Sequence, residues 1–484
     1  MSEHSKIVGR ESEIAVLKEA LKSDQAELIA VYGRRRVGKT FLIRSVYSNQ
    51  MVFDFTGVKD ASLSDQLKNF NRVLVSTFKP SVKLQIAKSW IDAFWQLAEL
   101  LEKDLNKGKK VIFLDEFPWL DTPRSKFLQA FDHFWNAWAS RFDQIIIVIC
   151  GSAASWMIQN ILRNKGGLHN RLTRRIRLMP FNLYETERLL LKNGINLDRY
   201  QMIELYMAMG GIPQYLKEIK AGESSTQAID RLCFNKDGPL FYEFQELYVA
   251  LFDRADKHLE VVKALANKPS GLSRNELIEI GGLKTGGTLT TVLDELLESG
   301  FIIDYFPFGK KHRDIIFKLS DEYSLFYLKF IEKSKSTGAG TWISKSTSAS
   351  WMVWSALAFE NICIKHIPQI KKALGISGIY TEHSIWRYKP QSSSDLNGAQ
   401  VDLLFDRNDK CINLIEIKFS MKEFVIDKKY AEELKQKRWT FLENTKTKKS
   451  VFLTMLTTFG VKENEHYVGK VQNQINMDAL FEPL

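Results

Sequence analysis

The sequence predicts an α/β protein of several domains: a parallel sheet, then a helical region, a winged helix and a second, C-terminal α/β unit. Three observations carry that expectation. Short apolar runs alternate with helical stretches up to Phe181, a helix, helix, helix, hairpin series spans Asp256–Ser320, and two charged strand-like segments, Val401–Phe405 and Cys411–Phe419, lie near the end. Strands alternating with helices need crossover connections and hence a parallel sheet. At 484 residues the chain is too long for one typical core, and length suggests about three domains.

The first segment, Lys6–Lys22, carries Ile14, Leu17 and Leu21 on one helical face. Leu28–Tyr32 is a nearly continuous apolar run, and Gly33–Thr40, GRRRVGKT, fits G-x-x-x-x-G-K-[ST] ahead of a helical Phe41–Tyr47. Strand, loop and helix are the context in which this pattern binds phosphate. Gly33 and Gly38 let the amides turn inward, Lys39 supplies a cation for the β and γ phosphates, and Thr40 offers a hydroxyl to magnesium. ATP and magnesium are the cofactors expected.

Met51–Gly57 reads as the next strand, and Ser64 to about Lys107 as a long helical region with Trp90, Phe94, Leu97 and Leu101 on one face. Lys109–Phe117, KKVIFLDEF, is a strand ending in two acids. Asp115 suits the magnesium shell, and Glu116 suits the general base for a water in line with the γ phosphate. Two acids also end ordinary surface strands; the phosphate loop upstream is what gives this pair its chemistry. Gln144–Ala153 and Arg175–Phe181 complete the strands, and ligands of such sheets lie beyond the strand carboxyl ends. Ser152 is there to sense the γ phosphate or orient the water, or is a satisfied loop serine. Arg171, in LHNRLTRR, stands where an arginine reaches the nucleotide of its own or an adjacent subunit; Arg174 and Arg175 compete with it, and solvated charge is the plain alternative.

From about Asn182 to Ala250 the pattern is helical, broken by GGIPQYL at Gly210–Leu216. In the following winged-helix series, Leu283–Ser299 is the recognition helix, with Leu289, Val292, Leu293 and Leu296 facing inward and a Gly/Thr-rich start, GGLKTGGTLTT. Lys310, Lys311, His312 and Arg313 form a basic wing tip. Such modules read DNA or serve as protein contacts. Lys333–Ser350, rich in Ser, Thr and Lys, reads as a linker or flexible loop. The expected domains are therefore residues 1–181, 182–255, 256–332, the linker 333–350, and 351–484.

In the last domain Asp402 lies on one strand, and Glu416 and Lys418 share a face of the next. Gln400 shares the face of Asp402. An acid opposite Glu-x-Lys binds a divalent ion through two carboxylates while the lysine steadies a hydroxide or phosphate. Glu360, an isolated acid in the apolar helix Trp354–Ile367, completes the metal shell. A wet strand face carrying charges is the alternative, but LIEIKF is otherwise apolar, and buried charges ask for partners. The helix Lys428–Leu442, with Tyr430, Leu434, Lys437 and Phe441 at helical spacing, packs across this sheet.

The segments VGRESEI, GRRRVGKT, VIFLDEF, CGSA, NRLTRR with LMPF, and GGIP together resemble the AAA-like P-loop ATPases of the signal-transducing STAND class, in the bacterial and archaeal ATPase family that couples such a module to a C-terminal nuclease-like domain. The resemblance implies that Val8, Gly9 and Arg10 pack near the adenine, and that Gly211 and Pro213 of the lid lie near the nucleotide. The chain has Asn170 where the family often carries glycine before the position of Arg171. The C-terminal pattern is similar to the PD-(D/E)XK restriction-endonuclease-like fold, with Glu360, Asp402, Glu416 and Lys418 at the matching positions.

Composition sets the outer limits. No run reaches the roughly 18 apolar residues of a membrane span, and the N-terminus lacks the pattern of a secretory signal, so a cytoplasmic protein with no membrane partner is expected. Cys150, Cys233, Cys363 and Cys411 lack metal spacing and read as buried thiols. The net charge of +11 favours polyanions, DNA before RNA, without deciding between nucleic acid and a merely basic surface. Self-association is left open. The expectation is a Mg-ATPase governing a metal-dependent nuclease-like domain, or a regulatory ATPase whose nuclease-like domain only binds or oligomerises.

Overall fold

The structure is a computed structural model that describes residues 7–103, 105, 108–152, 154–162, 167–281, 287–310, 314–334, 338–390 and 398–484. The chain forms two compact units. One comprises Met1–Pro180 with Glu246–Ala255 and Glu298–Gly300; the other comprises Phe181–Gln245, Asp256–Leu297 and Phe301–Leu484.

The first unit is built on five strands: β1 (Glu27–Tyr32), β2 (Met51–Thr56), β3 (Lys110–Asp115), β4 (Ile145–Gly151) and β5 (Arg174–Arg177). They pair in the order β2-β3-β4-β1-β5, all parallel. The β4 run Ile-Ile-Ile-Val-Ile is buried throughout, as a central strand covered on both faces must be. Because β4 lies between β1 and β3, three neighbouring strands bring Gly33, Ser152 and Asp115 out at one edge. The expected long helix after β2 is instead two, Leu63–Phe78 and Trp90–Glu102. Lys79 turns left-handed at φ 43°, and Pro80 cannot continue a helix; Ser89 then caps the second helix by accepting from the Asp92 amide. Their apolar faces meet in an aromatic cluster in which Phe70 and Trp90 cross edge to face at 5.6 Å and Phe94 stacks on Phe134 at 5.0 Å. Each such buried ring contributes about 1.5–3 kcal/mol.

The second unit opens with the helices Leu183–Lys192 and Arg199–Met209, the first started by an Asn182–Glu185 capping box. The three expected helices follow at Ala255–Ala266, Arg274–Gly281 and Gly287–Glu298. Strands β6 (Leu272–Ser273), β7 (Ile302–Tyr305) and β8 (Ile316–Leu319) pair antiparallel in the order β6-β8-β7. Leu289, Val292, Leu293 and Leu296 are all buried, as helical spacing requires. Residues 282–286, at the start of the expected recognition helix, and wing residues Lys311, His312 and Arg313 lie outside the described residues.

The C-terminal sheet comprises β9 (Thr381–Tyr388), β10 (Ala399–Arg407), β11 (Cys411–Lys418), β12 (Ser450–Thr457) and β13 (Asn473–Asn476). Its order is β13-β12-β11-β10-β9; β9, β10 and β11 run antiparallel, and β11, β12 and β13 parallel. The helix Ala349–Lys365 precedes it, and Lys428–Thr445 links β11 to β12, as a parallel crossover needs. The expected linker is corrected in its described part. Trp342 is 1% exposed and packs against Phe234, Phe326, Phe330 and Trp351, while Asp230 accepts from the amides of Gly340 (2.7 Å) and Trp342 (2.6 Å). One large ring and one buried acid fix a segment whose composition alone reads as loose. Cys150, Cys233 and Cys363 are buried and Cys411 is half-buried; among the described residues no helix is long and apolar enough to cross a membrane.

Candidate functional site

Gly33 has φ +139°, and a Cβ there would lie 2.4 Å from the Leu178 carbonyl, so the tight exit from β1 demands glycine. Gly38, at φ 93°, caps the Lys39–Val46 helix. Lys39 is buried, and its Nζ donates to the Gly33 and Arg34 carbonyls at 2.9 Å each. Burial pushes the Lys39 pKa down, with Glu116 and Asp115 among the groups opposing it. Thr40 Oγ1 donates to Asp115 Oδ2 at 2.9 Å, which joins the loop of β1 to the end of β3. Hydroxyl and carboxylate in contact are a donor pair that fits magnesium.

Glu116 sits at φ 46°, a left-handed angle unusual for a side chain. Its two carboxylate oxygens accept from Ser152 Oγ at 3.0 and 2.8 Å, and Oε2 accepts from the Ser152 amide at 3.3 Å. The structure therefore sets Ser152 on the acid. Arg10 is buried, donates to the Val37 carbonyl at 3.2 Å and pairs with Glu13 at 3.6 Å; Val8 and Gly9 precede it, so the opening segment is fastened to the phosphate loop. Arg171 is paired at 3.8 Å with Asp132. Arg174 pairs with Glu19 (3.1 Å) and Glu27 (3.3 Å), and this holds its guanidinium in a structural cluster. Pro213 belongs to the second unit and starts the turn Pro213–Leu216; beside it, a Cβ on Gly211 would lie 1.8 Å from the Phe181 carbonyl.

In the C-terminal sheet, Asp402 lies where the β10–β9 register shifts between Val401 and Leu404, a bulge that re-aims a side chain. Its Oδ2 accepts from the Ile417 amide at 3.0 Å. Glu416 is 1% exposed; its Oε2 accepts from Lys437 Nζ and from the Tyr430 hydroxyl at 3.4 Å, while Oε1 is buried without a hydrogen-bond partner. Burial, then Asp402, pushes the Glu416 pKa up against Lys437. Glu360 is raised to about 7 by burial and Asp402, opposed by Lys318 and Lys418. Lys318, buried on β8, has its pKa lowered by burial and supported by Glu360 and Asp402. Lys418 Nζ stands 5.2 Å over the Tyr430 ring, and Gln400 accepts from Arg387 Nε at 3.0 Å.

Asp402 is thus tied by the Ile417 amide to the strand between Glu416 and Lys418, and Glu360 lines the same cleft as Asp402. The expected metal set of Glu360, Asp402 and Glu416 is not drawn up as a finished cage, since among the described residues no three His, Cys, Asp or Glu side chains are close enough to hold an ion. The physical reason is internal neutralisation: Lys437 and the Ile417 amide already take oxygens of Glu416 and Asp402. The unpartnered Glu416 Oε1 is the atom that fits a cation.

Residues 7–219 match a protein family described as an ATPase domain predominantly from Archaea. The matched segment holds the phosphate loop Gly33–Thr40 and the strand-end acids Asp115 and Glu116. An uncharacterized protein of Methanocaldococcus jannaschii is 25% identical over 445 residues, covering 90% of this chain and 93% of that one, so the likeness extends well past the ATPase domain. Among solved structures, a Walker-type ATPase of Pyrococcus abyssi is similar at 18% identity, with 68% of this chain and 97% of that one covered and a TM-score of 0.46. The ORC2 protein of Aeropyrum pernix is similar at 15% identity, with 70% and 95% covered and a TM-score of 0.38.

Outside the ATPase domain, the residue that sequence reasoning missed is Lys318. It lies between buried Phe317 and Leu319 on a four-residue strand, and nothing local to FKL says which acids it will face. Lys437 carried a signal, since it shares a helical face with Tyr430, Leu434 and Phe441. Its pairing with Glu416 needed the crossover geometry.

Proposed function

We propose that the ATPase domain is the control and the C-terminal sheet the output: a Mg-dependent ATP-hydrolysing switch, STAND-like, that governs a metal-dependent nuclease-like domain acting on nucleic acid, DNA before RNA. The observation that carries this reading is that Asp402 accepts from the Ile417 amide, between Glu416 and Lys418, while Glu360 of the preceding helix lines the same cleft as Asp402, an arrangement that resembles the PD-(D/E)XK fold. The expected division into core, lid, winged helix and C-terminal domain goes with it, as do cytoplasmic location and self-association as a means of switching.

On the ATP side, Lys39 exchanges the Gly33 and Arg34 carbonyls for phosphate oxygens. Thr40 and Asp115 are the residues to hold magnesium, which when bound neutralises charge on the transferring phosphate. Glu116 takes the proton of the attacking water, and Ser152 holds the Glu116 carboxylate until the nucleotide site is filled. Val8, Gly9 and Arg10 face the base; Arg171 is the arginine for the γ phosphate once released from Asp132, and Pro213 belongs to the lid. On the output side, Asp402 and Glu416 with Glu360 are the residues to hold a divalent ion, which when bound activates water for phosphodiester attack. Lys418 steadies the hydroxide or the phosphate.

The test is one preparation assayed for both activities. Phosphate release should disappear in Lys39→Ala, and DNA cutting in Mg or Mn should disappear in Asp402→Ala. Hydrolysis that survives Lys39→Ala undiminished would sink the first half, and cutting that survives Asp402→Ala the second. A second reading has its own support: Glu416 is already paired with Lys437, and Asp402 already accepts from the Ile417 amide, as suits a domain that binds or oligomerises without cutting. It expects nucleotide-dependent binding with no cleavage in any divalent ion.

A further inference from the structure

Asp402 of the C-terminal sheet and Glu360 of the helix before it line a cleft of about 980 Å3 whose walls come also from β7 and the turn after it, β8, β9 and β10. Lys268, Lys310, Arg387 and Lys389 line it as exposed side chains, while Lys318 is buried in it beside Glu360 and Asp402. Among the described residues Glu276 is the only other acid in the lining, so five cations face three acids. The same walls carry four rings, Tyr305, Phe308, Trp386 and Tyr388. Trp386 and Tyr388, two residues apart on β9, lie nearly parallel at 11° and 6.5 Å; Trp386 is 4% exposed within the core of this sheet, so the half-buried Tyr388 is the β9 ring on offer to a ligand.

Size and chemistry select the occupant. Pockets of about 300–1,000 Å3 hold drug-sized molecules, so this one admits a few unstacked nucleotides and not a double helix. Cations interleaved with aromatic faces bind single strands, the cations tracking phosphates and the rings receiving bases. A duplex buries its base faces in its own stack and leaves such rings unused.

We infer that this cleft receives single-stranded nucleic acid, a free end or a splayed strand, with a base against the Tyr388 ring and the backbone led past Lys318 to Asp402. The inference rests on the nucleic-acid reading proposed above and adds the substrate class. Arg387 and Lys389 hold the strand electrostatically, Tyr388 holds it by stacking, and Lys318 meets one phosphodiester beside Glu360 and Asp402.

The experiment is a fluorescence-anisotropy titration of the full chain in EDTA, where no cutting occurs. The probes are fluorescein-labelled single-stranded DNA of about 15 nucleotides, the RNA of the same sequence, and the blunt DNA duplex. One of the two strands should bind at least about tenfold tighter than the duplex, with affinity falling as salt rises, and the DNA and RNA arms say which. The Arg387→Ala/Lys389→Ala variant should weaken strand binding and its salt dependence. Tyr388→Ala should cost strand binding at least about fivefold, and Tyr388→Phe, which keeps the ring, should retain it. Equal or tighter duplex binding, an unchanged Tyr388→Ala, or equal loss in Tyr388→Ala and Tyr388→Phe overturns the inference. Strand binding without Asp402-dependent cutting keeps it while removing the nuclease reading; Asp402-dependent cutting of duplex with no strand preference does the reverse.

Discussion

At the phosphate loop, charged side chains are held by neutral partners: Lys39 by two backbone carbonyls, Asp115 by the Thr40 hydroxyl and Glu116 by Ser152. At the C-terminal sheet, Glu416 is held by Lys437, and Lys318 is buried against Glu360 and Asp402. The difference matters for what each site can accept. Hydrogen bonds to neutral groups contribute about 0.5–1.5 kcal/mol each and exchange readily for a charged ligand, whereas a buried ion pair broken on one side costs about 3–5 kcal/mol. The first site is open to a polyanion with its own counterion; the second must have a lysine displaced before an ion can enter.

The largest effect should come from removing the cation of the open site. Lys39→Ala should lower the rate of ATP hydrolysis about 10³-fold, roughly 4 kcal/mol of transition-state stabilisation, in a phosphate-release assay. Because its partners are backbone carbonyls, the melting temperature should change little, and a large fall in Tm would break the contrast between the sites.

In the neutralised site the ordering reverses, with stability moving before activity. Lys437→Met leaves Glu416 buried with the Tyr430 hydroxyl as its remaining hydrogen-bond partner and should cost about 3 kcal/mol of stability, read as a lower Tm near neutral pH. Added Mn should raise the Tm of Lys437→Met more than that of the parent, because the freed Oε2 joins the unpartnered Oε1. No differential rise would mean that Glu416 does not face an ion.

A third expectation concerns pH. Glu360 titrates near 7 in the fold against 4.5 for the unconstrained group. Between those values the native state holds a proton that the unfolded chain has lost, so stability is fully present below about pH 4.5 and is lost as pH rises through about 7, by up to about 3 kcal/mol. Thermal unfolding across that range should show the slope in the parent and a flatter profile in Glu360→Gln. Parallel profiles would remove Glu360 from the coupled group.

The same contrast explains what the sequence made legible. GRRRVGKT, LDEF and CGSA follow buried apolar runs, and the local order strand, loop, helix nearly dictates the geometry; Lys39, Thr40, Asp115 and Glu116 were readable for that reason. Strand period likewise set Glu416 and Lys418 on one face. Lys318 was not readable, because its partners belong to a helix and a strand more than forty residues further along, and only packing brings them together. Trp342 defeated the linker reading in the same way, as one ring in a Ser/Thr-rich stretch whose neighbours are distant in sequence. For Ser152, position at the strand end was visible, but its choice of Glu116 as a partner was a matter of side-chain geometry.

That choice gives the smallest effect and the finest test of the open site. If Ser152 restrains Glu116 through neutral hydrogen bonds, Ser152→Ala removes about 1 kcal/mol of positioning and should change hydrolysis by about tenfold or less while leaving the affinity for ATP intact. The sign discriminates between two roles. A faster basal rate means that Ser152 holds Glu116 away from the water, and a slower one means that it aims the carboxylate. Either outcome moves kcat and not KM, since the serine touches the acid and not the phosphate loop. A Ser152→Ala protein that instead loses ATP affinity with kcat unchanged would put the serine on the nucleotide, and the Glu116 contact would then belong only to the nucleotide-free state.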